Sequence, residues 1–513
     1  MIHWTTRKLA ARGLTLAALL ALAALIQVAT PVWAQTPARS SAAPTGAASV
    51  FGIDDGGVVS GSQVTTDLAA ATGVNWERIA LYWSSLEPTE GNYNFSSADN
   101  TLNRLLDAGF SLVVYIDQNP TWASDTTCGP LKPGKTQAFA NLLYKLVERY
   151  PGVRVWAAYN EVDFDNSNIT LNTGGCFGAR SAYNGDVDNN GNKDYMDYAE
   201  LLAAGWKAVH DANTATDNDA RFAMGALAYD NFNVSTAPSG YPGGGSGGLF
   251  NYKFAPDLFQ YMKNNPLPNN QKYMDLALFN YYNLFGTYYW NKSNPALGFR
   301  SKVKALRKLM TQAGIPVVPL FVTETGEDSS PVSDDGVSEK GQARCLTMTL
   351  TRGAANKLEG IIWWTFRDHA EPHPNWDYGV VRMDLSKKPS YTALQTLAAE
   401  LNGYNFEKTL TNKSGFIGVE AYRFGGISGK KYVVWSASAT RGANVECSWS
   451  RSNKLASFQA QTLRVVNGAG VLNKADVIKV KTIQDGSKKD KNPAAGIIGI
   501  NVGASPMIVQ INP

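Results

Sequence analysis

The chain has 513 residues, with 47 Lys and Arg against 43 Asp and Glu and a formal net charge of +4. Hydrophobic residues at 44% and charged residues at 18% describe an ordinary soluble globular protein, long enough for a large domain plus a smaller one. Only four histidines occur, His3, His210, His369 and His373, which argues against hydrolases built on histidine clusters around a catalytic metal.

The N-terminus reads as an export signal over residues 1–34. Arg7, Lys8 and Arg12 form a basic start, Leu14 to Ile26 an apolar run, and Val32-Trp33-Ala34 a cleavage site before Gln35. The apolar run is short for a span of about 20 residues, and no second hydrophobic stretch follows it. The expected product is therefore secreted and extracellular, with no membrane span. Its net charge falls to about +1 once three basic residues leave, so no basic surface for nucleic acid is expected. Residues 35–47, rich in Ala, Ser, Thr, Pro and Gly, form a flexible linker.

From residue 48 to 403 short apolar runs alternate with amphipathic stretches. Strands are expected at Val50–Asp54, Glu77–Trp83, Ser111–Asp117, Arg154–Asn160, Arg221–Ala228, Asp275–Tyr282, Val317–Thr323 and Gly360–Phe366. Helices are expected between them, for example Gln137–Tyr150, Asp197–Ala212, Arg300–Ala313 and Lys340–Asn356. Eight β-then-α units point to a closed (β/α)8 TIM barrel. Across 404–513 the helical period disappears. Lys431–Ser436, Ser457–Val466, Asp476–Thr482 and Pro506–Ile511 alternate and are rich in β-branched residues, the pattern of a small antiparallel β-sandwich. Four cysteines in an exported chain allow at most two disulfides. Cys128 and Cys176 fall in loops after neighbouring strands and are expected to pair, leaving Cys345 and Cys447 free.

Two segments carry chemistry. Trp156-Ala157-Ala158-Tyr159-Asn160-Glu161 and Phe321-Val322-Thr323-Glu324-Thr325-Gly326 are apolar strands, each ending in a glutamate. At the carboxyl ends of strands four and seven, both glutamates would face one barrel mouth. Two facing carboxylates suit glycoside hydrolysis, one protonated to help the leaving oxygen depart and one ionised to attack or stabilise the sugar cation. A gap of about 5–5.5 Å lets the second attack directly and retain configuration, whereas a wider gap admits water and inverts it. The rival reading is a carbohydrate-binding barrel that has lost activity.

These segments resemble the strand-four and strand-seven signatures of clan A glycoside hydrolases. Supporting matches are Arg78, Glu87-Pro88 with Gly91-Asn92-Tyr93, Pro120-Thr121-Trp122-Ala123, Trp363-Trp364, and Asp384-Leu385-Ser386 through Pro389-Ser390-Tyr391. The resemblance covers residues 50–402 and is closest to families five and thirty-nine. It implies a retaining β-glycosidase acting on a plant- or microbe-type oligo- or polysaccharide, with no cofactor for catalysis. Glu161 would be the acid/base and Glu324 the nucleophile. Asn160 would hold the sugar 2-hydroxyl, Arg78 keep Glu324 ionised, Tyr282 donate to Glu324, and Trp363 form the platform under the sugar. Trp122 and Tyr288-Tyr289-Trp290 are further stacking candidates. The chain departs from the pattern at Val162, where proline is usual, and at Asn280, where a histidine is usual.

Asp186, Asp188, Asn190, Gly191, Asn192, Asp194 and Asp197 occupy positions 1, 3, 5, 6, 7, 9 and 12 of a calcium-type loop. The aspartate at position 12 resembles dockerin-type loops. Asp186, Asp188, Asn190, Asn192 and Asp197 are the candidate ligands of a structural Ca2+. Gly244-Gly245-Ser246-Gly247-Gly248 matches a serine-hydrolase elbow in form only, since no strand precedes it.

Overall fold

A computed structural model of the chain describes residues 49–512 except 165–176, 179–184, 187, 229–250, 252, 283–298, 331–337, 370–376, 438–451 and 468–479. The expected export signal and linker lie outside the described residues, as do Cys176, Cys447, Tyr288-Tyr289-Trp290 and the Gly244–Gly248 loop. Residues Gly46–Pro513 form one compact unit. Among the described residues, no helix is long and apolar enough to cross a membrane.

Eight parallel strands close into a barrel in sequence order. They are β1 Phe51–Asp54, β2 Trp76–Tyr82, β3 Ser111–Asp117, β4 Val155–Ala158, β5 Arg221–Leu227, β6 Leu276–Asn280, β7 Leu320–Thr325 and β8 Gly360–Trp363. Ring closure pairs Gly52 with Ile362, and Asp54 lies level with Arg78 on the next strand. Each strand leads into a helix: α1 Gln63–Ala70, α2 Ser96–Asp107, α3 Lys135–Arg149, α4 Asp194–Thr216, α5 Phe254–Asn264, α6 Phe299–Ala313, α7 Glu339–Ala355 and α8 Pro389–Leu401. Both faces of such strands are covered, which is why SLVVYID and GIIW read as nearly continuous apolar runs.

Side-chain alternation divides the strands between two cores. Trp76, Val113, Val155, Ala157, Leu276, Leu278, Phe321 and Ile362 fill the barrel interior, where Trp76 meets Phe321 edge-on at 5.1 Å. Ile53, Ile79, Leu112, Val114, Ile361 and Trp363 point outward into the layer shared with the helices. The parity that sends Gly52, Arg78, Val113 and Ile362 inward also aims Asp54, Asp117 and Trp364 at the mouth.

The remainder is all-β. β9 Asn405–Thr409, β10 Val419–Gly426, β11 Gly429–Ser436, β13 Thr462–Asn467, β14 Val480–Gln484 and β16 Met507–Ile511 make a six-stranded sheet. β12 Lys454–Gln459 pairs with β15 Ile497–Val502 as a second layer. One face of the large sheet contributes Phe424, Val433, Trp435, Val466 and Ile508 to the barrel's helix core, while Tyr432, Val434 and Val509 face the small sheet. Polar ties reinforce that junction. Glu400 of α8 receives Lys431 at 2.8 Å and Arg464 at 2.7 Å, and Arg352 of α7 binds Glu420. Trp435 is fully buried beneath Arg352, so it is core and cannot be an exposed sugar platform.

Cys128 and Cys345 are both disulfide-bonded. The bond at Cys345 corrects the expectation of a free thiol. A helical setting constrains only its near neighbours, and a bonding partner far along the chain leaves no local trace.

Candidate active site

The two glutamates reach the mouth by different local routes. β4 ends at Ala158, and the chain then turns sharply, with Tyr159 at φ +65° and Glu161 at φ +46°. Such conformations cost on the order of 1–3 kcal/mol for a residue other than glycine and persist only where the surroundings impose them. Here they do. Tyr159 donates its hydroxyl to Asn119 Oδ1 at 2.6 Å and its amide to Ile116, while the Val162 amide donates to Ala226. Gly225 on β5 makes the turn possible, since a Cβ there would sit 2.2 Å from the Ala158 carbonyl and 2.5 Å from that of Tyr159. Glu324, by contrast, lies inside β7, level with Asn280 on β6.

Arg78 organises the floor. Its Nη1 donates to Glu324 Oε1 at 2.6 Å and to Asp54 Oδ2 at 3.1 Å, its Nη2 donates to Asn160 Oδ1 at 2.7 Å, and its guanidinium lies 4.2 Å from the Tyr115 ring centre. Tyr282 donates its hydroxyl to Glu324 Oε2 at 2.7 Å, so both oxygens of Glu324 accept charge-favouring hydrogen bonds. Asn280 ties Glu161 to β7. Its Nδ2 donates to Glu161 Oε1 at 3.1 Å, and its Oδ1 accepts from Thr323, the residue before Glu324. A single asparagine side chain thus spans from Glu161 to the strand that carries Glu324.

The electrostatics divide the pair. Burial first, and then the charge of Glu324, pushes Glu161 up to about 8, against smaller lowering by Asn280 and Arg78. Asp54 is raised to about 7, chiefly by burial, with Arg78 lowering it and Glu324 raising it. Asp117 is raised to about 6 by burial, offset by the Gln118 amide and by Arg78. The mouth therefore combines Glu161, the most strongly raised of these three carboxyl groups, with Glu324, whose two oxygens are held by Arg78 and Tyr282. That is the division of labour that breaking a glycosidic bond requires.

The chain matches no family model and no curated protein. Solved structures do share its shape. A family 39 glycoside hydrolase from the gut symbiont Bacteroides cellulosilyticus WH2 superposes with a TM-score of 0.62 at 17% identity, over 91% of this chain and 81% of that one. A monomeric β-xylosidase from Caulobacter crescentus CB15 gives 0.57 at 13% identity, over 91% and 97%. The family 30 subfamily 8 xylanase Xyn30A from Clostridium acetobutylicum gives 0.54 at 12% identity, over 90% and 96%. The chain has the fold of the clan A glycoside hydrolases. Of the two families the sequence resembles most, thirty-nine is among these neighbours, and thirty joins it.

Within this fold, Arg78, Asn160, Glu161, Asn280, Tyr282 and Glu324 all come together, and Asp54 is an addition. Its signal was available, an acidic side chain of inward parity at the end of the first strand. Trp363 does not join them. It is fully buried on the helix side of β8 and donates its indole N–H to Tyr378 O at 3.0 Å. Trp364 takes the expected place, edge-on to Tyr282 at 6.1 Å and to Tyr378 at 5.3 Å and stacked on His369 at 4.9 Å. Trp122 lies in the wall between two loops, edge-on to Trp83 and donating to Glu87 O at 2.9 Å; no contact links it to either glutamate. The rim beside Trp364 is braced by buried Lys388, which donates to Asp368 Oδ1 at 2.6 Å, Ser329 Oγ at 2.9 Å and Asp377 O at 3.0 Å.

The acidic loop after β4 closes on itself. Asp186 accepts from the amides of Asn190 and Gly191, and Gly191 takes φ +95°. Oxygens of Asp186, Asp188 and Asp194 lie within 4.8 Å of one another. Asn190 and Asn192 instead turn their side-chain N–H groups toward Asp197. Burial, followed by the charge of Asp197, raises Asp188. The donor set suits a hard cation, with Asp194 as its third carboxylate.

Proposed function

We propose that this protein is a secreted retaining β-glycosidase acting on an oligo- or polysaccharide by double displacement. The observation that carries the reading is the shared hold on two glutamates at one barrel mouth, with Arg78 and Tyr282 on the two oxygens of Glu324 and Asn280 between Glu161 and the neighbouring Thr323. In the first step Glu324 attacks the anomeric carbon while Glu161 gives its proton to the departing glycosidic oxygen. In the second, Glu161 takes a proton from water, which releases the sugar from Glu324. Arg78 fixes the Asn160 amide by holding its oxygen, which aims its N–H edge at the sugar 2-hydroxyl.

NMR of the first anomer released from an aryl β-glycoside tests the reading. The β-anomer is expected, and the α-anomer would remove Glu324 from the role of nucleophile. A second expectation concerns the tryptophans. Trp364→Ala should lower kcat/KM about tenfold, through lost stacking, with a small change in Tm. Trp363→Ala should instead destabilise the fold by about 3–5 kcal/mol, as emptying a buried indole site does.

We propose further that the 186–197 loop holds a structural calcium that bears no part in catalysis. Saturating Ca2+ should raise Tm by several degrees over chelator-treated protein, by preferential binding to the native state. In Asp186→Ala that difference should vanish. An identical Tm with and without Ca2+ in the wild type would exclude the site.

A further inference from the structure

The near-neutral charge of the whole chain conceals a division. Residues 48–403 hold 28 Lys and Arg against 37 Asp and Glu, a net charge of −9, whereas residues 404–513 hold 15 against 6, a net charge of +9. The expectation that no basic surface remains holds for the sum and fails for the β domain.

Some of these cations are spent at the barrel junction, where Lys431 and Arg464 share Glu400, and Arg423 pairs with Glu407. Lys413, Lys454, Lys488, Lys489 and Lys491 form no ion pair among the described residues, and all but half-buried Lys454 are exposed. Three segments bring these five together. The Ser457 amide on β12 donates to Gly415 O at 2.8 Å, and a Cβ on Gly418 would lie 3.1 Å from Lys454 Cδ, which seats loop 411–418 on β12. Asn492 Nδ2 donates to Ser457 Oγ at 3.3 Å, and the Lys491 amide donates to Gly499 O at 2.9 Å, which seats turn 486–492 on the same two strands. Ser457 and Gly499 are themselves partners across β12 and β15. Lys488, Lys489 and Lys491 therefore stand on the turn seated over Ser457 and Gly499 on the outer face of the small sheet, the layer away from the barrel, with Lys413 on the loop bonded to β12 and Lys454 at the start of that strand.

Two acidic side chains lie in this neighbourhood, and both are engaged by backbone. Asp490 accepts from the amides of Gly486, Asn492 and Gly499, and Asp485 from that of Gly496. Aliphatic side chains stand among the lysines, with Ile417 69% exposed and Leu455 44% exposed. The described aromatic residues nearby, Phe416, Tyr432 and Phe458, are buried, so among the described residues the face offers no ring on which a base or sugar could stack.

Point cations around exposed aliphatics match an anionic lipid surface, where each lysine gains from the negative potential and the aliphatic tips enter the headgroup layer. We propose that the outer face of the β12–β15 sheet, with Lys413, Lys454, Lys488, Lys489, Lys491, Ile417 and Leu455, docks the protein on anionic membrane surfaces. The −9 barrel is repelled by the same surface, so charge also orients the molecule.

The test is cosedimentation of the full chain with phosphatidylcholine vesicles containing or lacking about one-third phosphatidylglycerol. Binding to the anionic vesicles alone, weakened at least tenfold by 0.5 M salt, is the expected result. Replacing Lys488, Lys489 and Lys491 by glutamate should lower partitioning at least tenfold, and Ile417→Ser with Leu455→Ser severalfold. Hydrolysis of a soluble aryl glycoside should be unchanged in both, which shows that they fold and separates this inference from the proposed activity. Should the charge-reversed chain lose its fold, Lys413→Gln with Lys454→Gln asks the same question. Equal binding to neutral vesicles, variant partitioning equal to wild type, or tighter retention by polygalacturonate or duplex DNA than by vesicles would overturn the docking surface.

Discussion

Glu324→Ala is expected to lower kcat on an aryl β-glycoside by roughly 10⁴-fold or more, the scale on which loss of a nucleophile is felt. Arg78 and Tyr282 each place a hydrogen bond on Glu324, and no other carboxylate in the described mouth is held this way. Asp54 cannot take over, because it sits behind the same Arg78 Nη1 and is raised to about 7. The alanine variant leaves room for a small anion, so azide should restore turnover and yield a glycosyl azide of inverted configuration. Near-UV circular dichroism would confirm that Arg78, now sharing charge with Asp54 alone, still holds the floor together. Residual activity within tenfold of wild type would sink the assignment. Near-zero rates for wild type and variant alike, over a broad panel of glycosides, would mark the protein as a binder.

For Glu161→Gln the expected loss depends on the leaving group. With a poor alkyl leaving group the rate should fall about 10²–10⁴-fold, the worth of a positioned general acid. With a dinitrophenyl leaving group, which departs unaided, the first step should survive and the glycosyl-enzyme should accumulate as a burst. The pH profile carries a separate signature. Glu161 acts as an acid only while protonated, and burial with the charge of Glu324 holds it up to about 8. Wild-type activity should therefore fall as pH rises through about 8, and that limb should be absent in the glutamine variant. Stability follows the same sign. A folded-state value above that of the unfolded chain means stability is fully present below the unfolded value, about 4.3 for glutamate, and is lost as pH rises toward 8. Tm of Glu161→Gln relative to wild type should therefore climb between pH 5 and 8. A pH-independent difference would show that Glu161 is not raised, either by burial or by the charge of Glu324.

Much of this site was readable because a closed barrel turns strand order into geometry. Once eight β-then-α units are recognised, an acidic residue at the end of the fourth and another near the end of the seventh must meet, and Arg78 and Tyr282 follow from the same logic. What resisted reading has identifiable causes. β7 begins at Leu320, three residues later than the apolar run implies, because Pro319 lacks an amide proton and Val317 is 48% exposed in the preceding loop. The two tryptophans of β8 exchange roles on a matter of parity, and a four-residue strand offers little pattern from which to read it. Ser457–Val466 reads as one strand but is divided between two sheets at Ala460-Gln461, where no glycine or proline marks the break. The left-handed turn that aims Glu161 rests on a glycine of the following strand, Gly225, whose importance emerges only from contact distances.

The Glu400 junction has a consequence for anyone dividing the gene. Glu400 belongs to the last barrel helix, yet both cations that neutralise it, Lys431 and Arg464, come from beyond residue 403. A chain truncated after α8 would strand that carboxylate and lay bare the apolar side of the final two helices that Val433, Trp435 and Ile508 now cover. Such a fragment should emerge from expression as aggregate. The β portion is structural masonry for its neighbour, and the two halves are obliged to fold as a single piece.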